Sequence, residues 1–278
     1  MGKIRINGYC DPLNVKSGDE IDFMISAENT EKVSSKIVRL VHGDENPLGP
    51  GFIENELDSN FPNSLKVARQ FAQKGAFAKV KDDDKVLSLK DSFTIYAFVN
   101  PSKVNGKRQS ILGKWNIHSN QGYGLGINPD GHFEFWMGNG SSIDKVTSEV
   151  SIVEKTWYFL CVTYNHKSNN ICLIQKGKVN RYNSHIGPVV PYDYDSHICE
   201  TFRLNINQCE ADSDFIWAGA TDYNEARKFF VSNLYNGKID RSGIYKTELT
   251  KDQINLLLDG KSFDNKNLLA CWDTSLGY

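Results

Sequence analysis

The sequence predicts an all-β fold, built over residues 92–278 as an antiparallel sandwich of two sheets. Short segments rich in aromatic and β-branched residues recur from Ser92 to about Tyr245. Turn residues separate them, as in 129–131 (Pro-Asp-Gly) and 138–140 (Gly-Asn-Gly). Strands at this spacing, with turns of this kind, are typical of a β-sandwich. The expected strands are 92–101, 122–128, 132–137, 157–164, 171–175 and 215–220.

Residues 1–58 form a different region, which we expect to be a small β segment that packs on the sandwich. In 20–27, apolar side chains alternate with polar ones, and 35–41 repeats the pattern, so both segments are expected to be strands. Three glycines and two prolines follow within 42–52. That composition favours an ordered loop, since glycine and proline restrict where the backbone can go. We expect Arg39 and Asp44 to form a partly buried pair beside it.

Residues 59–91 are expected to connect the two regions, with 70–80 entering the sandwich as a strand. The charged run 81–85 (Lys-Asp-Asp-Asp-Lys) could attract a metal, but it is more typical of a solvated turn. One short helix is predicted near the C-terminus, because Thr250 and Gln253 have capping-box spacing and Gly260 is placed to end the helix. The apolar segment 267–272 is expected to be a last strand.

Composition sets limits on function. The 278 residues carry a formal charge of −2 and a pI near 6.3, which gives no reason to expect nucleic acid as a partner. We expect no membrane span and no signal peptide, because no apolar run approaches the roughly 20 residues that a span needs. The six cysteines show no metal-binding spacing. We therefore expect all six to be reduced and the protein to be cytoplasmic.

One strand offers candidates for ligand or partner contact. In 132–137, Phe133, Phe135 and Met137 share one face, which leaves His132, Glu134 and Trp136 on the other. If the phenylalanines face the core, Trp136 lies on an outer face beside a carboxylate. An exposed tryptophan there could stack on a sugar or on a partner residue. The alternative is that another segment of the chain covers it.

Catalytic groups are not predicted in this chain, and neither is a bound organic cofactor. Retaining sugar hydrolysis needs two carboxyl groups about 5.5 Å apart, whereas Glu134 is the only carboxylate of its strand. The six histidines are dispersed, and no nucleophile lies in a G-x-S-x-G elbow. Asp240 is a candidate ligand for a structural calcium ion, with backbone carbonyls completing the site. The alternative is that Asp240 caps a turn or pairs with a nearby cation.

Several stretches together resemble the large (β) subunit of the N,N-dimethylformamidase family. They include 8–19 and the block 37–52, which reads Ile-Val-Arg-Leu-Val-His-Gly-Asp-Glu-Asn-Pro-Leu-Gly-Pro-Gly-Phe. The resemblance continues in 93–101, 109–115 and 122–131, and in 236–240 and 270–275 near the C-terminus. Residues 92–272 are also similar to laminin G-like, concanavalin A-like jelly-roll sandwiches.

The resemblance implies a place for this chain in a larger enzyme. In that family, the lectin-like N-terminal region precedes an α/β domain, which holds the catalytic iron with its Tyr and Glu ligands, so no residue here inherits a ligand role. The implied partners are that catalytic domain or subunit, a small subunit and other copies of the chain. The resemblance thus implies a non-catalytic region that serves domain packing and subunit assembly in an amide hydrolase. The alternative is a free-standing module that binds carbohydrate.

Overall fold

The computed structural model describes residues 2–104, 106–178, 198–206, 211–223, 228–261, 263 and 266–274. Its strands, in chain order, are β1 (Arg5–Asp11), β2 (Asp22–Glu28), β3 (Lys32–Ser34), β4 (Val38–His42), β5 (Ile53–Glu56), β6 (Ser64–Lys66), β7 (Ala78–Val80), β8 (Phe93–Pro101), β9 (Gln109–Asn116), β10 (Gln121–Ile127), β11 (His132–Asn139), β12 (Ile143–Ser151), β13 (Trp157–Asn165), β14 (Asn170–Lys178), β15 (Ile198–Arg203), β16 (Phe215–Trp217), β17 (Ala220–Tyr223), β18 (Phe229–Ser232), β19 (Gly237–Tyr245) and β20 (Leu268–Trp272). The helix α1 (Lys251–Leu258) lies between β19 and β20. The all-β class with one short helix near the C-terminus is confirmed for the described residues.

The chain divides into two units, Met1–Ala72 and Gln73–Tyr278. The first unit consists of three separate two-stranded ribbons, β1–β2, β3–β6 and β4–β5. Among residues 2–72, only Ala27 is buried. A two-stranded ribbon has only marginal stability by itself, because it cannot bury much apolar surface. The first unit therefore has strands but hardly any core.

The second unit contains two sheets. The larger has eight strands, six of them in the order β12-β11-β10-β9-β16-β7, with β17 and β18 attached beside β9. The smaller has six strands in the order β15-β14-β13-β8-β19-β20. Neighbouring strands are antiparallel, except where β17 meets β9 through the parallel pair Thr221 and Asn116. The expected sandwich is confirmed.

The main core consists of side chains that both sheets contribute. Phe93 of β8 contacts Phe135 of β11 and Tyr164 of β13, with ring centroids 6.0 and 5.1 Å apart. Phe133 and Met137 belong to the same buried cluster, so the predicted inward face of β11 is confirmed. In each strand, period-two alternation places the buried side chains on the face that meets the opposite sheet.

The helix α1 covers the other face of the smaller sheet. Its Ile254 and Leu257 join a second buried cluster with residues of β8, β13 and β19. The capping box of Thr250 and Gln253 is present, which confirms the predicted start. After the helix, Gly260 (φ +74°) donates to Leu257 O and Lys261 donates to Leu256 O. These two bonds form a Schellman motif, in which the glycine has the left-handed conformation.

Two strand predictions need correction. Residues 70–80 form a strand only at Ala78–Val80, because Gln73 instead uses its side chain to bond the backbone of Val231 in both directions (2.8 and 2.9 Å). The predicted strand 215–220 is interrupted, since Ala218 has φ +60° and the chain there changes from β16 to β17. A left-handed residue cannot continue a strand.

The cysteines differ from the prediction at one position. Cys10, Cys161 and Cys271 are free, and burial raises the pKa of the Cys161 thiol, so it stays protonated in the core. Cys172 is disulfide-bonded, so the expectation that all six are reduced is wrong. The thiol groups of Cys199 and Cys209 lie outside the described side chains. A position in an apolar strand was therefore not enough to predict that Cys172 is reduced.

Candidate functional site

Trp136 lies on the outer face of β11, and its ring is covered. It is 2% exposed, and its ring meets that of Trp115 edge-on at 6.4 Å. Gly124 on the neighbouring β10 makes room for it, since a Cβ atom there would come within 2.5 Å of the ring. The structure therefore agrees with the alternative in which another segment of the chain covers Trp136. A sugar could not stack on this ring as it lies.

Arg108 completes the cover over Trp136. Its guanidinium carbon lies 4.9 Å from the centroid of the Trp136 ring, a cation–π distance. The same guanidinium donates to the buried carboxylate of Glu134, which also accepts from Thr147 (3.4 Å). Glu134 is therefore held in an ion pair with Arg108. Sequence reasoning missed Arg108, because it precedes its strand and no pattern marks it.

His132 lies at the start of the same outer face. Its Nδ1 atom is 2.8 Å from the carbonyl oxygen of Ser148 on β12. His132, Glu134 and Trp136 thus share one strand face, as predicted, but each contacts another part of the chain. The three residues are packed along the outer face of β11. Their contact with a ligand or partner stays a prediction.

Asp240 lies in β19 with both carboxylate oxygens engaged. Arg241 Nε donates to one oxygen at 3.1 Å and Thr274 Oγ1 donates to the other at 3.0 Å. This is the arrangement expected if the carboxylate pairs with a nearby cation of the chain. Within the described ranges, no three His, Cys, Asp or Glu side chains come together as a metal site.

The charged run 81–85 is not simply a solvated turn. The side chain of Asp82 is 5% exposed, and its carboxylate lies 2.6 Å from Lys114 Nζ on β9. The same carboxylate accepts from the backbone N–H of Leu87, and Lys114 also donates to Ser88 Oγ (3.2 Å). Removing one member of a buried ion pair leaves the other charged and unpaired. Asp82 is thus a structural residue, which corrects the expectation for this part of the run.

An acidic cleft of about 300 Å³ lies beside this ion pair. Its wall includes Asp82, Asp212 and Asp214. Each of these carboxylates has a lysine partner: Asp214 lies 3.0 Å from Lys79, and Asp212 lies 3.7 Å from Lys85. The cleft therefore carries less uncompensated charge than its composition indicates, and its geometry does not define a catalytic site.

The other groups considered for catalysis have structural contacts. His118 Nε2 lies 2.7 Å from Asp222, and the backbone N–H of Val104 donates to Glu154. The other carboxylate oxygen of Asp222 accepts from Ser232 Oγ. His185 and His197 lie outside the described residues. No described helix is long and apolar enough to cross a membrane.

Exposed apolar side chains are concentrated in the first unit. Among the described residues, 14 of the 19 large apolar side chains that are exposed come from residues 2–72. These 14 are Ile4, Ile6, Tyr9, Leu13, Val15, Phe23, Met24, Ile37, Leu40, Val41, Leu48, Phe52, Ile53 and Leu57. Exposed apolar surface on this scale is typical of a protein interface. The first unit is therefore the candidate functional surface.

The side chain of Leu48, in the loop after β4, is exposed. Asp44 accepts from the N–H of Asn46 (2.9 Å), and the Asn46 side chain accepts from the N–H of Leu48 (3.1 Å). His42 Nδ1 lies 2.8 Å from Gly51 O across the base of the loop. These bonds support the predicted order of the loop. The expected partly buried pair of Arg39 and Asp44 is wrong, because both residues are exposed and Asp44 bonds within the loop.

Comparisons with known proteins first define the class. Residues 74–193 match the family model of the concanavalin A-like lectin/glucanases superfamily. Two solved structures are also similar: the CBM40 of Ruminococcus gnavus IT-sialidase and a heptameric SAP-like pentraxin of Limulus polyphemus. The first is 14% identical, covering 64% of this chain and 87% of that one at a TM-score of 0.46. The second is 15% identical, covering 62% and 71% at a TM-score of 0.41. The match to this family model lies within the second unit, whose two-sheet fold is the concanavalin A-like sandwich expected from the sequence.

Sequence relatives then define the family more closely. The whole chain is 32% identical to the N,N-dimethylformamidase β subunit of Alcaligenes sp and 29% identical to that of Paracoccus aminophilus. The chain spans 36% of the length of each of these subunits. The resemblance to the N,N-dimethylformamidase β-subunit family is confirmed along the full chain.

Proposed function

We propose that this chain is the non-catalytic, lectin-like N-terminal region of a dimethylformamidase-like amide hydrolase, where it serves domain packing and subunit assembly. The observation that carries the proposal is the exposed apolar surface of residues 2–72. Such surface costs free energy in water, roughly 25 cal/mol for each Å² left uncovered. A partner that covers it would gain that free energy on association.

The partner that we propose is the remaining, catalytic part of the same enzyme. The related β subunits are nearly three times as long as this chain, since it spans 36% of them. The name β subunit also indicates an enzyme with more than one kind of subunit. The amide-hydrolysing groups, including any iron, would then belong to that other part, and assembly would include a small subunit and further copies of this chain in the cytoplasm.

Carbohydrate binding is the alternative function, and the structure gives it little support. It was suggested by Trp136, whose ring is covered by Trp115 and Arg108. Binding of the purified chain to a glycan array, at an affinity well above that of an unrelated β-sandwich protein, would favour this alternative. Absence of binding would leave assembly as the proposed role.

The proposal is tested by expressing a tagged copy of this chain together with the rest of its enzyme. We expect the catalytic part and the small subunit to be retained on the tag, and the retained complex to hydrolyse dimethylformamide. The chain by itself should show no turnover. Turnover by the isolated chain, or failure to retain any catalytic part, would contradict the proposal.

A further inference from the structure

The acidic cleft of the second unit has two unpartnered hydroxyl groups in its wall. Thr221 is 2% exposed and Ser213 is half-buried, and both residues line the cleft. Thr221 Oγ1 and Ser213 Oγ are shielded from solvent and have no hydrogen-bond partner among the described residues. A buried hydroxyl without a partner costs stability, so each such group needs an explanation. A molecule bound in the cleft would supply the missing partners.

The inner wall of the cleft offers a third hydrogen-bond donor. Lys114 is 2% exposed, and its ammonium group has three N–H donors. Asp82 and Ser88 accept from two of them, at 2.6 and 3.2 Å. The third N–H has no partner in the described part of the chain. Together with the two hydroxyls, this ammonium group favours a ligand that presents hydrogen-bond acceptors to the inner wall.

The rim of the cleft has the opposite character. Its lining includes four aspartates and two lysines. Lys79 is not part of the lining but pairs with Asp214 at 3.0 Å, so four carboxylates face three ammonium groups. The excess negative charge lies at Asp83, which is exposed and has no ion-pair partner among the described residues. The rim therefore attracts a cation.

An organic cation fits this rim better than a metal ion does. Within the described ranges, no three His, Cys, Asp or Glu side chains come together as a metal site. Phe229 and Tyr223 line the same cleft and are 41% and 37% exposed. Lys79 Nζ lies 4.9 Å from the centroid of the Phe229 ring, so this ring already contacts one ammonium group. Aromatic rings beside carboxylates favour an ammonium group on a carbon skeleton.

We propose that the cleft binds a small amino alcohol. Its hydroxyl groups accept from Lys114, Thr221 and Ser213 at the inner end. Its ammonium group lies against Asp83 at the rim. The cleft volume of about 300 Å³ is sufficient, since small-molecule sites begin at roughly that size. The site is separate from the proposed assembly role, because all of its lining residues belong to the second unit.

NMR titration of the full chain with three compounds of the same propane skeleton tests the proposal. Serinol has two hydroxyl groups and an ammonium group, isopropylamine lacks the hydroxyls, and glycerol has a hydroxyl in place of the ammonium group. We expect serinol to shift the backbone amide signals of Ser213 and Thr221. It should bind about ten-fold more tightly than either analogue, because each analogue lacks one set of charge-assisted hydrogen bonds.

Two results of this titration would overturn the proposal. If serinol binds no more tightly than one of its analogues, one set of the proposed contacts is not made. If none of the three compounds gives a saturable shift, the cleft is not an amino alcohol site, and water alone satisfies the two hydroxyls.

Variants of the wall test the individual contacts. Asp83→Asn should weaken serinol binding about ten-fold and Thr221→Val about five-fold, because each removes one hydrogen-bonding group. Asp84→Asn is the matched control, since Asp84 is exposed beside Asp83 and is not part of the lining. Thr221→Val should not lower the melting temperature, because its hydroxyl has no partner among the described residues. Equal losses in Asp83→Asn and Asp84→Asn, or unchanged binding by Thr221→Val, would contradict the proposed contacts.

Discussion

Strands β2 and β11 have the same alternating pattern but very different surroundings. Phe135 of β11 is fully buried between two sheets, whereas Phe23 of β2 is half exposed beside a ribbon partner. Alternation therefore predicts a strand and an apolar face, but it does not say what covers that face. In the second unit, the cover is the opposite sheet of the same chain. In the first unit, we attribute the missing cover to another part of the enzyme.

The largest expected effect comes from truncating one phenylalanine in each strand. Phe135→Ala should lower the free energy of unfolding of the isolated chain by about 3–5 kcal/mol, because it leaves a cavity in the core. Phe23→Ala should change it by no more than about 0.5 kcal/mol, as for other surface substitutions. Chemical denaturation of both variants measures the difference. Equal losses would show that Phe23 belongs to a core of the chain itself.

A buried ion pair gives the next effect. Asp82→Ala should lower the free energy of unfolding by about 3 kcal/mol or more, since it leaves the Lys114 ammonium buried without its partner. The exposed pair of Lys85 and Asp212 provides a control, and Asp212→Ala should cost less than about 1 kcal/mol. The double variant Asp82→Ala/Lys114→Met should recover most of the loss. If the single and double variants melt alike, the pair is not buried as described.

The helix cap should have a smaller effect. Thr250→Ala removes the hydroxyl that accepts from the Gln253 N–H, and N-cap losses of this kind cost about 1 kcal/mol. Thr247→Ala is the control, because its hydroxyl donates to the neighbouring Glu248 carbonyl at 3.5 Å and does not cap the helix. Thermal melting followed by circular dichroism compares them. A cap variant as stable as the control would mean that packing alone fixes α1.

The smallest expected effect concerns calcium. Since Arg241 and Thr274 already engage the Asp240 carboxylate, we expect the chain to melt at the same temperature in excess calcium and in chelator. A bound ion would instead stabilise by about 2.7 kcal/mol at one hundred times its dissociation constant. A calcium-dependent rise in melting temperature that Asp240→Ala abolishes would establish the ion site predicted from the sequence.

The sequence predicted the sandwich better than it predicted contacts. Strands such as β8, β11 and β13 have strong aromatic patterns, and α1 has explicit capping residues, so local chemistry was sufficient for them. Asp82 and Lys114 are 32 positions apart, and Arg108, which precedes β9, reaches Glu134 of β11 across β10. No periodicity connects such residues, since their partners are fixed by the way the sheets fold. The alternation in 20–27 predicted the strand β2, but it did not predict that Phe23 would be half exposed.

Hydroxyl-radical footprinting of the isolated chain and of the assembled enzyme tests the central claim most directly. This measurement reports the solvent access of individual side chains. We predict that Tyr9, Met24 and Phe23 lose most of their reactivity on assembly, while Val150 and Val153 of the second unit react as before. Unchanged reactivity of the three first-unit side chains, in an enzyme that contains this chain, would contradict the account.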